Sequence, residues 1–114
     1  MNFKHIYKII DNSEWQKAKE KGSYKGSRKD LDDGYIHFSE QEQVNGVLNK
    51  FFKSQKNLVL LKVDTNNLQD LLWEQASDGN MFPHLYSSLD TSNVVNEFEI
   101  ILTDDDNHKL PVNF

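Results

Sequence analysis

Leu58-Val59-Leu60-Leu61-Lys62-Val63 decides the architecture, because five of its six residues are apolar and no alternation sorts them into an inner and an outer face. Successive side chains of a strand point to opposite sides of a sheet. A strand that is apolar on both sides therefore reads as a central one, covered above and below. Asp64 to Asn67 then turn the chain.

Working outward from this strand towards the N-terminus, Val44, Val47, Leu48, Phe51 and Phe52 follow the i, i+3, i+4, i+7, i+8 spacing of an amphipathic helix. Ser39 with Glu42 three residues on reads as its capping box, and Gly46 within it reads as a point of close packing. Gly34 opens a strand, Tyr35-Ile36-His37-Phe38, and the Gly-, Ser-, Asp- and Lys-rich stretch from Ser23 to Asp33 reads as a loop. A short helix starts at Ser13 as N-cap, turns Trp15 and Ala18 inward and stops at Gly22. Phe3 to Ile10 alternates as a strand, with Phe3, His5, Tyr7 and Ile9 on one face. Towards the C-terminus, Leu71-Leu72-Trp73-Glu74 reads as a short strand and Ser77 to Asn80 as a turn. Phe82-Pro83-His84-Leu85-Tyr86 is extended, since the residue before a proline is disfavoured in a helix. Val94 to Leu102 is the last strand, and the polar residues after Thr103 read as a loose tail. The expected fold is α+β, a single domain spanning residues 1–114.

Composition narrows the function classes. Apolar residues make up 37% of the 114, and the seven Phe, four Tyr and two Trp supply much of the bulk for a core. With no cysteine, disulfides, thiolate metal sites and a thiol nucleophile are excluded. No apolar run reaches membrane-span length, and Met1-Asn2-Phe3-Lys4-His5 lacks the apolar core of a signal peptide; by elimination a cytoplasmic address is expected. A formal net charge of −5 argues against duplex nucleic acid as partner. Six of the thirteen basic residues nevertheless fall between Lys17 and Lys29, a stretch that could serve one small anion or simply form a solvated face.

Several side chains carry candidate chemistry. Alternation places Tyr35, His37 and Ser39 on the strand face opposite Ile36 and Phe38, so His37 fits a hydrogen-bond donor to a ligand or a structural histidine bonded to a backbone carbonyl. On the ligand reading His37→Ala leaves stability nearly unchanged. In Met81 to Tyr86, beside the rigid Pro83, His84 fits a residue that orients a substrate or acts as an acid/base, the alternative being a loop that plugs one end of the core with aromatic bulk. Glu74 follows Trp73, and a carboxylate against an indole can have a raised pKa suited to proton transfer, the alternative being an exposed or ion-paired side chain. Arg28, the chain's only arginine, suits phosphate, or else pairs with a nearby acid. No phosphate-loop or dinucleotide glycine pattern is present, no His pair has chelating spacing, and no nucleophile elbow occurs, so no metal site is expected.

Ile6-Tyr7-Lys8-Ile9, Trp15 with Ala18 and Gly22, Gly26-Ser27 with Asp30, Asp33-Gly34-Tyr35-Ile36-His37-Phe38-Ser39 with Gln43, Leu60 to Asp64, Trp73-Glu74 and Phe82 to Tyr86 resemble, in this order, the bacterial domain of unknown function 952. That family has been grouped with the ADP-ribosyltransferase-like superfamily of RNA 2′-phosphotransferases and poly-ADP-ribose polymerases. The resemblance implies a small split, twisted, mixed sheet with two main helices and a nucleotide cleft between its halves. It implies ligand contacts from Tyr7, Arg28, Tyr35, His37, Ser39 and Tyr86, with His84, Glu74 and Glu97 as catalytic candidates. Glu97 enters because Asn96-Glu97-Phe98 is similar to the segment bearing the polymerases' catalytic glutamate. No cofactor is required; NAD or ADP-ribose would be a substrate or ligand. The sequence departs from the superfamily in the first strand, where Lys8-Ile9 replaces the usual His-Gly. The expected function is a polar cleft for an NAD- or ADP-ribose-type nucleotide, in a transferase or in a non-catalytic ligand-binding module of the same fold.

Overall fold

The computed structural model of the chain describes residues 4–114. Strand β1 (His5–Asp11) leads into helix α1 (Asn12–Lys21), then β2 (Ser23–Tyr24), helix α2 (Arg28–Asp33) and β3 (Ile36–His37). A 3-10 turn at Gln41–Gln43 precedes helix α3 (Val44–Phe51). Strands β4 (Leu58–Asp64), β5 (Leu71–Gln75), β6 (Met81–Leu85), β7 (Leu89–Asp90), β8 (Val94–Leu102) and β9 (His108–Lys109) complete the chain. One sheet has the order β1-β4-β8-β9, a second β3-β6-β5, and β2 pairs with β7.

β4 lies between β1 and β8, as its two-faced apolar pattern requires. Alternation in β1 and β4 feeds two cores. Ile6, Ile10, Val59, Leu61 and Val63 join Trp15, Ile36, Phe38 and Leu85 on one side of the sheet. Tyr7, Ile9, Leu58 and Leu60 join Val44, Leu48 and Ile100 on the other, under α3. Phe3 lies outside the described residues.

A single extended segment ties the two sheets together. Ile36 and His37 pair with Leu85 and His84, and Phe38 donates its N–H to the Pro83 carbonyl. Ser39 then exchanges two 2.8 Å backbone hydrogen bonds with Tyr7 of β1. The sheet is therefore split, as expected, but every pairing among the described residues is antiparallel, which corrects the mixed sheet.

Local chemistry moved several boundaries. Asp11 rather than Ser13 caps α1, accepting from the N–H groups of Ser13 and Glu14, and Gly22 ends the helix at φ 78. Residues 23–33 are not a plain loop: Ser27 caps α2 in a reciprocal capping box with Asp30. Glu40 with Gln43, not Ser39 with Glu42, makes the capping box before α3. Gly46 has open space around its missing Cβ, so close packing does not explain it. The segment after Thr103, expected to be loose, folds back: β9 pairs with β8, and Leu110 and Phe114 cover the α3-side core. Among the described residues no helix is long and apolar enough to cross a membrane.

Candidate functional site

Direct cross-strand partners in an antiparallel sheet share a face. His37 on β3 is opposite His84 on β6, and His84 is opposite Leu72 on β5. Their ring centroids lie 5.5 Å apart. Tyr35 stacks on His84 at 4.0 Å and 24°, and its centroid is 4.6 Å from that of His37 and 5.2 Å from that of Tyr86. Two segments separated by 47 residues thus build one four-ring cluster.

Carboxylates frame the rings. Glu74 Oε1 lies 2.8 Å from His84 Nδ1 and accepts a 2.6 Å hydrogen bond from the Tyr86 hydroxyl. These two bonds, the Tyr86 one larger, hold the Glu74 carboxyl below its ordinary pKa, while the same bond pushes the Tyr86 hydroxyl up to about 12. This corrects the raised pKa expected from the neighbouring Trp73. The two side chains sit on opposite faces of β5, and the Trp73 indole donates to Glu40 instead. An ionised Glu74 is an acceptor, and it orients His84, which is only 7% exposed.

Behind His37 lies a second, buried polar group that sequence reading missed as a site. Asp30 is 2% exposed and Lys8 6%, and their ion pair spans 2.9 Å. Asp30 Oδ2 accepts from Lys8 Nζ and the Ser27 N–H, and Oδ1 from the His37 N–H at 3.2 Å, with His37 Nδ1 2.6 Å away. Burial pushes the Asp30 carboxyl up, but His37, Lys8 and Ser27 together hold it well below the usual range. Burial also works against the Lys8 ammonium, and Asp30 counters it. His37 Nε2 faces Asp33 at 3.0 Å. The expectation that His37→Ala leaves stability unchanged is corrected, because the ring holds a buried carboxylate and its loss costs about 1–3 kcal/mol. Two signals pointed to this group: Ser27-x-x-Asp30 is a capping-box pattern, and Lys8 interrupts an otherwise apolar strand.

Three of the expected ligand contacts, and the catalytic candidate Glu97, lie elsewhere. Tyr7 is buried on the α3 side of the first sheet, with its ring edge-on to Phe114 at 5.5 Å, so it cannot stack on a ligand at the ring cluster. Ser39 is buried, and its backbone serves the junction between the sheets. Arg28 stands at the start of α2 with its side chain 90% exposed, 3.5 Å from Asp32, a surface pair rather than part of the cluster. Glu97 lies on β8, 3.4 Å from Lys19, lining with Trp15 a separate open hollow of about 610 Å³. Among the described residues no group of three His, Asp or Glu side chains is arranged to hold a metal ion.

Fold and site define a small α+β protein of antiparallel sheets, with a histidine–tyrosine–carboxylate cluster on one sheet face. The family model described as "Protein of unknown function (DUF952)" matches residues 9–97, and the chain belongs to that family. Its fold is similar to that of protein CC0527 from Caulobacter crescentus. The crystal structure of that protein is 43% identical, with a TM-score of 0.86 over 92% of this chain and 93% of that chain. A crystal structure of its double mutant gives 42% identity and the same score and coverage. Its solution NMR structure gives 44% identity, a TM-score of 0.81, and coverage of 91% and 90%. No curated protein matches the chain.

Proposed function

We propose that the ring cluster of Tyr35, His37, His84 and Tyr86, with Glu74 and Asp33, binds the ribose of an NAD- or ADP-ribose-type nucleotide. The observation that carries this reading is the facing of two histidines across one strand pair, each with a carboxylate on Nδ1. Ribose hydroxyls are donors, and carboxylates with imidazole nitrogens are the acceptors that suit them. The cluster's own charges are acidic, so the phosphates point away from it, towards solvent. A carboxylate held ionised beside the ribose also suits a cationic, oxocarbenium-like transition state, which makes Glu74, rather than Glu97, the residue for that role in a transferase. NAD or ADP-ribose enters as substrate or ligand, with no further cofactor.

A second reading, a non-catalytic binder, is favoured by one observation. Tyr35 already stacks on His84 at 4.0 Å, leaving no slot for a base between the rings, so a ligand meets their edges. Titration of the labelled protein with NAD and with ADP-ribose, followed by NMR, tests both readings. Expected are shifts at Tyr35, His37, Glu74, His84 and Tyr86, with Arg28 and Glu97 silent, and about tenfold weaker binding for His84→Ala. Nicotinamide release from NAD marks the transferase, and binding without release marks the module. No shift at millimolar ligand, or shifts centred on Lys19 and Glu97, sinks the ribose assignment.

A further inference from the structure

Asp30 is a carboxylate with no spare lone pair. A carboxylate offers about four acceptor positions, and here Lys8 Nζ and the Ser27 N–H occupy Oδ2 while the His37 N–H and ring occupy Oδ1. Three of these partners are fixed donors. The ring nitrogen, 2.6 Å from a carboxylate oxygen, must then carry its hydrogen, because a bare nitrogen lone pair so close to that oxygen would repel it. The group is built as well as buried. Gly26 sits at φ +119 with its missing Cβ only 2.7 Å from Asp30 Cβ, so the loop closes on Asp30 in a way that other residues cannot follow. Asp33, the partner of Nε2, is a different kind of group: it is part-exposed and also 3.3 Å from Lys29, on the surface of α2.

We infer that the buried Lys8–Asp30 pair is a positioning device that fixes the His37 ring by its Nδ1–H and presents Nε2 outward, where Nε2 meets Asp33 until a ligand displaces that carboxylate. The pair touches no ligand. Lys8 holds Asp30 ionised and in place, Asp30 holds Nδ1–H, and Nε2 is the atom that meets a ribose hydroxyl. The inference rests on the ribose-site reading only for the identity of what displaces Asp33; the Nδ1–H bond to Asp30 is a property of the free protein.

Long-range proton–nitrogen NMR correlation on the ligand-free, imidazole-labelled protein tests it. In the wild type, His37 Nδ1 is expected to be protonated. In Lys8→Met/Asp30→Leu, which removes both buried charges together and leaves no side-chain acceptor for Nδ1–H, a ring protonated on Nε2 alone is expected to become populated. ADP-ribose affinity should drop about tenfold in that variant, while Glu97→Gln, on β8 away from the cluster, keeps the Nδ1–H bond and binds within about twofold of wild type. A wild-type ring protonated on Nε2 alone overturns the inference, whether or not the double variant folds. An unchanged tautomer in a folded double variant overturns it too. Protonated Nδ1 with no binding of NAD or ADP-ribose refutes the ribose reading and leaves the positioning device standing.

Discussion

Lys8 and Asp30 are two charges in a place where each alone would be costly. Breaking a buried pair from one side leaves an uncompensated charge, at about 3–5 kcal/mol, whereas replacing both partners with neutral groups is often close to neutral. Asp30→Asn is therefore expected to destabilise the protein by an amount of that order in urea unfolding, and Lys8→Met on that background to recover most of it. The sign with pH follows from the folded carboxyl lying well below its ordinary value near 3.8. Its stabilisation is complete above about pH 4 and is lost only as the pH falls through the folded value. The difference in stability between wild type and Asp30→Asn should hold level from pH 5 to 8 and shrink only in strong acid. A difference that already closes between pH 6 and 5 would mean that another group, not Asp30, carries the effect.

At the scale of elements, the short helix α2 decides more than its six residues suggest. Asp30, the capping-box partner of Ser27 within it, also joins β1, through Lys8, to β3, through His37, so one side chain fixes three elements. Gly26 makes the approach possible. Gly26→Ala would force a Cβ into Asp30 and strain a φ that other residues avoid, which costs on the order of 1–3 kcal/mol. Thermal unfolding should register that loss, and the NMR signals of His37 should shift with it. If the melt drops while His37 is undisturbed, the loop supports the fold without governing the ring.

Over the whole molecule, the chain is held by crossings between layers that are distant in sequence. The segment from Ile36 to Ser39 leaves one sheet and enters the other, and residues 108–114 return to close the α3-side core. Phe114 packs edge-on against Tyr7 and, with Leu110, shields that core. Its side chain is only part-buried, so Phe114→Ala is expected to cost about 1–2 kcal/mol, below the value for a fully buried ring. Chemical denaturation would check this, and a change within a few tenths of a kcal/mol would return the segment to the status of a loose tail.

By itself the sequence determined the elements whose signal is local. The two-faced apolar run of β4, the period of α3, the stop at Gly22, the extension around Pro83 and the strand from Val94 to Leu102 were legible because periodicity and backbone restriction act within a few residues. His37 and His84 were legible as polar rings on or beside strands, as were Tyr35 and Tyr86. Tertiary structure alone decided what these rings touch. Only the register of β3 on β6 sets His37 against His84, only the fold of β5 aims Glu74 at His84 and away from the Trp73 side, and only the closure of α2 over β1 buries Lys8 with Asp30. Tyr7, Arg28 and Glu97 were misplaced for the same reason. Residue type declares which bonds a side chain can make, but burial and register, which depend on contacts far along the chain, choose which it does make.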